Sequence, residues 1–546
     1  MESSSVLIGS KGLIRKHEFV RIIIQCLYSF GYQKSALCLE AESGISYKSN
    51  DFKLLESQIF SGNWYGCIDT ISGIKDLTDE VRVSALFLVL KHSLLEYSNC
   101  GDDASALAML RKEAPMFRFS RDKIHKLAYS IFASKNMNLD YSNDSVIHEL
   151  RKKLLRDLEK ALPPPTCLPD RRLEQLVETT IVAQIDSCMY HNFSGAVSIY
   201  EDHCCGRDQI PTETIQILAE HKNEVWYVQF SNNGEYLASS SSDCSAIIWK
   251  GLFIPFNGHL EDKLWNGRDE HLEVLEDGKL TLRHILRSHQ SQVSFVAWSP
   301  DDTKLLTCGH AEVLKLWDVE TGTCKHTFED HGFIVSSCAW FPDSKRLVCG
   351  SADPEKGIHL WDCDGNEIKA WRGTRMPKIL DLAVTPNGEN LISIFSDKEI
   401  RILNLESNAE RVIAEEHSIS SLSISVDGKF FIVNLNNQEI HMWDVAGEWQ
   451  QPLKYTGHQQ NKYVIRSCFG GVNSAFIASG SENSEVYIWS RQSSKPIEVL
   501  SGHSTTVNCV SWNPKRPKML ASASDDQTIR IWGPASSKNI KPGQSS

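Results

Sequence analysis

No stretch of this chain approaches the ~20 consecutive apolar residues that a membrane-spanning helix needs, and its most apolar run, Ala85–Leu90, reads as core helix. Basic residues are in deficit. The 57 Lys and Arg against 69 Asp and Glu leave a net charge of −12, which argues against nucleic acid or an anionic membrane as the main partner. Met1–Lys11 is Ser-rich but has no apolar segment, so no signal peptide is expected. Sixteen cysteines occur, yet no two stand as C-x-x-C, and the adjacent Cys204 and Cys205 are poorly placed to be two arms of one zinc site. Thiols scattered over expected core positions (Cys26, Cys308, Cys338, Cys509) suit a reduced cytoplasmic or nuclear protein better than a disulfide framework. G-x-S-x-G, P-loop and H-E-x-x-H signatures are missing, and spacing picks out no nucleophile-and-base set. The expectation is a non-enzyme with no cofactor and no metal.

What the chain has is a repeat. A His is followed about 28 residues later by apolar-x-apolar-Trp in the pairs His221/Trp249, His289/Trp317, His331/Trp361, His417/Trp443, His458/Trp489 and His503/Trp532. Asp follows three of the tryptophans (Trp317, Trp361, Trp443), and Gly precedes His458 and His503. A degenerate unit between Trp361 and Trp443 places Leu403 and Asn404 where Trp and Asp belong. The markers are then spaced 68, 44, 42, 40, 46 and 43 residues apart. This period, with its G-H and W-D marks, resembles the WD-repeat pattern, in which each unit is a four-stranded propeller blade. The long first interval predicts an insertion at about 251–278. Thr214–Leu218 alternates like a strand without a blade of its own, and the last repeat lacks an outer strand. Letting the first complete the last closes a ring of seven blades and removes an exposed edge. Within a blade, Asp should hold the His, which reaches a Ser or Thr and the Trp indole. His221, Asp243, Trp249, His289, Trp317, His331, Asp353, Trp361, His503, Asp526 and Trp532 are therefore read as a satisfied polar framework and not as catalytic groups.

Before residue 208 the apolar period changes from 2 to 3.6. Phe19, Ile22, Ile23, Cys26, Leu27 and Phe30 fall on one helical face that Gly31 stops, and a second short helix carries Ala36, Leu37 and Leu39 before Gly44. Two helices this short bury little surface alone, so the face is expected to meet a copy of itself. The Leu-Tyr, Gly-Tyr, Ser-Ala and Glu-Ser-Gly elements of Glu18–Gly44 resemble the LisH motif, a dimerisation module. Ile59, Gly62-Asn63-Trp64 and the long helix Val81–Tyr97 resemble the CTLH motif, which implies a helical partner surface with Ile59, Gly62 and Trp64. Helices continue to Lys160, Pro163-Pro164-Pro165 breaks the path, and Pro169-Asp170-Arg171-Arg172-Leu173 starts a fresh one.

The predicted fold is thus multidomain. Its parts are a flexible N-terminus at 1–16, LisH at 17–50, CTLH at 51–109, a helical CRA-like region and linker at 110–208, an all-β seven-bladed propeller at 209–533 and a flexible tail at 534–546. That order resembles the WD repeat-containing protein 26 family, subunits of the CTLH (yeast GID) multisubunit E3 ubiquitin ligase. The likeness covers about residues 17–532 and is most specific at Glu18–Gly44, Leu162–Ala183 and Ile217–Trp249. The resemblance implies a non-catalytic scaffold that recruits substrates or adaptors. It also implies self-association, RING-bearing partner subunits, and a cytoplasmic and nuclear location. A cullin-4 receptor reading is weakened because Trp317-Asp-Val-Glu, Trp361-Asp-Cys-Asp and Trp443-Asp-Val-Ala lack the Trp-Asp-x-Arg ending. A cytoskeletal LisH/WD scaffold would lack the Gly62-Asn63-Trp64 neighbourhood.

Propeller partners are expected at the face where the blade-to-blade loops open. There the strand alignment places Trp226, Ser294, Ser336, Leu380, Ser420, Ile465 and Asn508 near the channel mouth. Trp226 is a candidate anchor, and Arg372, Arg375 and Lys378 form a candidate site for an acidic peptide.

Overall fold

The structure, a computed structural model, describes residues 6–74, 77–116, 144–164, 166–252, 279–309, 314–328, 335–353, 356–372 and 377–535. The chain divides into two compact units, Met1–Val182 and Ala183–Ser546.

The first unit is helical: α1 (Lys16–Ser29), α2 (Gln33–Ser43), α3 (Asn50–Ser61), α4 (Trp64–Gly73), α5 (Asp79–Asn99), α6 (Asp103–Met116) and α7 (Asp144–Ala161), with α8 (Arg172–Ser187) crossing the boundary. A small antiparallel hairpin pairs Leu7–Ile8 with Ile14–Arg15. Part of the N-terminus expected to be flexible is therefore ordered, because Gly9 and Gly12 take the positive φ of its turn. Caps set the helix ends. Ser49 Oγ accepts from the Phe52 amide and Asn63 Oδ1 from the Gly66 amide, each satisfying an orphan donor of the first turn. Gly62 ends α3 at φ 73°, so the chain reverses directly into α4. Phe52, Leu55, Ile59, Trp64, Ile68, Leu86, Val89, Leu90, Leu154 and Leu158 form one core.

The second unit is a ring of seven four-stranded antiparallel sheets. Blade 1 comprises Val225–Phe230, Tyr236–Ser241, Ala246–Leu252 and Lys279–Leu286, and blade 2 comprises Val293–Trp298, Lys304–Gly309, Leu314–Asp318 and Cys324–Phe328. Blade 3 follows with Val335–Trp340, Arg346–Ser351, Ile358–Asp362 and Glu367–Trp371. Blade 4 has Ile379–Val384, Asn390–Phe395, Glu399–Asn404 and Glu410–Ala414. Blade 5 uses Ile419–Ile424, Phe430–Leu435, Glu439–Asp444 and Leu453–Thr456. Blade 6 uses Ser467–Gly470, Phe476–Ser479, Glu485–Ser490 and Glu498–Ser501. Blade 7 takes Val507–Trp512, Leu520–Ser524 and Ile529–Gly533, and its outer strand is Glu213–Leu218, paired with Ile529–Gly533. The predicted closure is what the chain does. Gly251 and Leu252 belong to a blade 1 strand, whereas 253–278 and 536–546, which contain the predicted insertion and tail, lie outside the described residues. Residues 183–208 were expected to go with the helical region. They group instead with the propeller, where buried Asn192 donates to the carbonyls of Gln209 and Pro517 at 2.7 Å each.

The blades also share a buried centre that period analysis did not reveal. Asp381 of blade 4 meets Arg466, just before blade 6, at 2.7 Å, accepts from Ser337 of blade 3 at 2.6 Å, and accepts from the Leu422 amide of blade 5 at 3.1 Å. The Arg466 guanidinium lies 5.1 Å from the Tyr227 ring of blade 1 and 5.0 Å from the Phe295 ring of blade 2. A buried charge pair is tolerated only with such additional partners.

Candidate functional site

The repeat's His and Trp residues sit as framework. In blade 1, His221 Nδ1 is 3.0 Å from Asp243, its Nε2 is 2.8 Å from Ser239 Oγ, and the Trp249 indole donates to the same Oγ at 3.0 Å. Blade 7 repeats this with His503, Asp526, Ser522 and Trp532 at 2.7–2.8 Å. Burial works against charge on Asp243 and Asp526. Hydrogen bonds from His221 and Ser245, and from His503 and Thr528, nevertheless hold both carboxyls well below the usual carboxylate range. Blade 2 keeps His289, Thr307 and Trp317. In blade 3, Cys349 stands where Ser belongs and meets the Trp361 indole, Asp353 closes a turn through its amide on Ser351 Oγ, and His331 lies outside the described residues. Blade 5 departs further. His417 is exposed and takes no part, while Trp443 donates to Glu415 Oε1 at 2.8 Å and His441 bridges Glu415 and Glu439 at 2.9 Å each. In blade 6, His458 packs edge-on to Trp489, and burial lowers its pKa to about 4.

The loop face is built differently from its expected form. Trp226, Ser294, Ser336, Leu380, Ser420 and Asn508 are each the bulged residue at the start of an inner strand, where the register slips by one. The bulge turns small polar side chains back to the next strand, so Ser294, Ser336 and Ser420 bond to the carbonyls of Cys308, Gly350 and Asn434. Asn508 is buried with its amide on the Val225 carbonyl and Asp525, and Ile465, with no bulge to expose it, is 0 % exposed. Neither is available to a partner, which corrects their assignment to the binding face. Trp226 and Leu380 remain half-buried, the Trp226 indole donating to Glu224 at 3.0 Å. Lys378 and Arg372 are exposed, but Arg372 already pairs with Glu367 at 3.3 Å, and Arg375 lies outside the described residues. The sequence reading missed the loop before blade 6. There Glu482 Oε1 accepts from the amides of Asn461, Lys462 and Tyr463 at 2.7–2.9 Å, fixing exposed Tyr463 and Val464 on the same face. An aromatic-apolar pair in an otherwise polar loop was the available signal.

In the helical unit, Ile59 and Trp64 are fully buried, and the guanidinium of Arg151 lies 5.6 Å from the Trp64 ring while pairing with Glu96. These two are core, not partner surface, and Gly62 is the hinge that seats them. A Cβ at Gly62 would meet Arg151 at 2.6 Å. The face of α1 expected to self-associate stays largely open. Phe19, Ile22, Ile23, Cys26 and Leu27 are half-buried and Phe30 is 58 % exposed, with Tyr32 and Leu37 exposed beside them. The opposite side of α1 is the docked one. Gln25 donates to the Pro169 carbonyl at 2.6 Å and Arg21 to the Tyr47 carbonyl at 2.8 Å, with Ile24 buried between them. Among the described residues, no helix is long and apolar enough to cross a membrane.

Comparison with known proteins agrees with this architecture. Residues 5–49 match the WDR26 Lis-homology domain, and 212–250, 280–318, 322–362, 449–490 and 494–533 match the WD domain, G-beta repeat. Blade 4 and the first three strands of blade 5 fall in the unmatched gap. The chain is 63 % identical to the WD repeat-containing protein WDS homolog of Arabidopsis thaliana, over 97 % of each chain. It is 43 % identical to a WD repeat-containing protein 26 homolog of the same plant, over 96 % of this chain and 86 % of the relative. It is 31 % identical to GID complex subunit 7 of Schizosaccharomyces pombe, over 94 % and 96 %. With a Lis-homology helical pair at one end, a closed seven-bladed ring at the other, and relatives aligned along nearly its whole length, the chain belongs to the WD repeat-containing protein 26 family.

Proposed function

We propose that this chain is a non-catalytic scaffold and a substrate- or adaptor-recruiting subunit of a GID-type multisubunit ubiquitin ligase, acting in the cytoplasm and nucleus. The helical unit associates with a second copy and with RING-bearing subunits, and the loop face of the propeller recruits targets. One observation carries the reading. An open apolar helical face at Phe19–Phe30 occurs in the same chain as a ring whose polar side chains serve its own framework, in a relative of GID complex subunit 7. A RING needs about eight paired Cys/His ligands, so ligation chemistry belongs to other subunits.

The test uses full-length protein. Leu27→Asp/Phe30→Asp should halve the mass in sedimentation and lose RING-bearing subunits on affinity capture, with stability within about 0.5 kcal/mol of wild type. Arg372→Glu/Arg375→Glu/Lys378→Glu or Trp226→Ala should keep those subunits and lose recruited proteins. A wild-type chain that is monomeric and retrieves no RING-bearing subunit would end this reading.

A further inference from the structure

Residues 188–206 contain no helix or strand, and they expose Ile199 and Tyr200. Apolar packing holds this segment at Tyr190, which lies against the core around Phe476 and Trp512, yet the whole of it must be placed accurately. It leads into Glu213–Leu218, the strand that closes the ring. Polar ties fasten its two ends. Asn192, besides its two donated bonds, accepts from the Val472 amide at 2.9 Å, and Arg207 pairs with Glu498 of blade 6.

Beside those ties, Cys188, His203 and Cys205 bring donor atoms within 4.8 Å of one another, and His191 stands against two of them. His191 Nδ1 is 2.9 Å from His203 Nε2, Cys205 Sγ is 3.3 Å from that Nε2 and 3.8 Å from His191 Nδ1, and Cys188 Sγ lies within 4.8 Å of both His203 and Cys205 donors. A tetrahedral zinc ion with bonds of about 2.0–2.1 Å to nitrogen and 2.3 Å to sulfur sets donor-to-donor edges of about 3.3–3.8 Å. The separations of Cys205 from His203 and from His191 match those edges, and the two imidazoles stand closer at 2.9 Å. Cys188 is grouped with His203 and Cys205 alone, so it would swing toward His191 as the ion binds. The thiols are free. The pattern in sequence is Cys188-x-x-His191 followed by His203-x-Cys205, one pair from each side of the loop. Adjacent Cys204 and Cys205 drew attention away from it. Surrounding contacts fit a ligand cage. The Cys205 amide donates to Cys188 Sγ at 3.3 Å, and the His203 amide donates to Gln184 Oε1 at 3.0 Å, so the backbone on either side of the two pairs is fixed. Phe193 packs on both imidazoles, at 4.7 Å from His191 and 5.9 Å from His203, shielding one side from water.

We propose that Cys188, His191, His203 and Cys205 bind one zinc ion, as a structural staple that cross-links the approach to the ring-closing strand. Four protein donors complete a tetrahedral shell and leave no position for a substrate, so the site is structural and not catalytic. Binding requires loss of the two thiol protons and of any proton shared between the imidazoles, so affinity falls in acid.

The experiment is metal analysis of the full-length chain purified without chelators. One zinc per chain is expected in the wild type and in Cys204→Ser, and none in Cys205→Ser or His203→Gln. Replacement by Co2+ should give the ligand-field absorption of a tetrahedral ion together with thiolate-to-cobalt charge transfer. This reading stands on wild-type protein alone should a variant fail to fold. A strong chelator should lower the melting temperature of the wild type and leave that of a folded Cys205→Ser variant unmoved. Zinc content in the wild type no higher than in Cys188→Ser/Cys205→Ser, or cobalt spectra without the charge-transfer band, would overturn the assignment.

Discussion

In blade 7 the Trp532 indole donates to Ser522, which also meets a His held by an Asp. In blade 5 the Trp443 indole donates to Glu415, a residue that follows the outer strand of the preceding blade and also holds His441. In blade 4 the equivalent position is Leu403, packed among Phe341, Leu382 and Leu391, and no acceptor is needed. A blade therefore requires either an apolar residue at this position or an indole with some acceptor within reach. The Ser-His-Asp relay is one solution and a carboxylate is another. The constraint is satisfaction of the buried N–H, because leaving it unpaired costs about 1–3 kcal/mol. The His and Asp are one means to that end.

If blades tolerate such variety individually, the largest effect should come from the centre they share. Arg466→Met would leave Asp381 charged and unpaired in the channel and should cost about 3–5 kcal/mol, read as a lower midpoint of the propeller's denaturant transition. A wild-type midpoint in that variant would mean the seven blades do not depend on this pair. Next in size is a substitution at one equivalent position in two blades. Ser522→Ala strips both His503 and Trp532 of their partner and should cost about 1–3 kcal/mol. Ser393→Ala in blade 4, beside Leu403, should cost under about 0.5 kcal/mol. Equal losses would erase the distinction.

The two solutions should also respond to pH in opposite directions. Asp243 and Asp526 have depressed native pKa values. Their stabilisation is therefore present above the unfolded value of about 3.9 and lost as pH falls toward the native value. Asp526→Asn should flatten the acid limb of a melting-temperature profile. For His441, burial opposes charge, but the bonds to Glu415 and Glu439 raise the pKa above its ordinary value. Its stabilisation is present below about pH 6.5 and lost as pH rises through the native value, so His441→Gln should flatten the profile above neutrality. The smallest expected change is a gain. Cys349→Ser would give the Trp361 indole an oxygen acceptor and should stabilise blade 3 by about 0.5 kcal/mol, measured as a small rise in midpoint.

The same contrast explains what could be read from the residues alone. Trp249, Trp317 and Trp532 and their histidines were legible because period and partner are encoded within one repeat. Glu415 was not, since it substitutes for a Ser from a different strand and sits two residues from His417, which the period favoured. The Asp381–Arg466 pair spans 85 residues and joins two blades, so no repeat contains it. The strand alignment found the start of each inner strand, but not its side-chain directions, because a bulge there turns Asn508 into the sheet. On the helical side, the spacing of Phe19 to Phe30 marked the open face. Ile59 and Trp64 carry the motif resemblance yet point inward. Nothing in helical periodicity says which of two apolar faces a neighbouring turn will cover.

The outer strand of blade 7 has a consequence for how the molecule is made. Thr214 and Arg530 touch across 316 residues of sequence, so the first propeller strand to leave the ribosome waits, unpaired, until almost the whole chain has been synthesised. Contacts this distant slow folding, and a nascent chain stalled before Trp532 presents a lone edge at Glu213–Leu218 that invites wrong pairings. Premature termination within the last few dozen codons is thus felt at the opposite end of the ring, as an open gap beside blade 1.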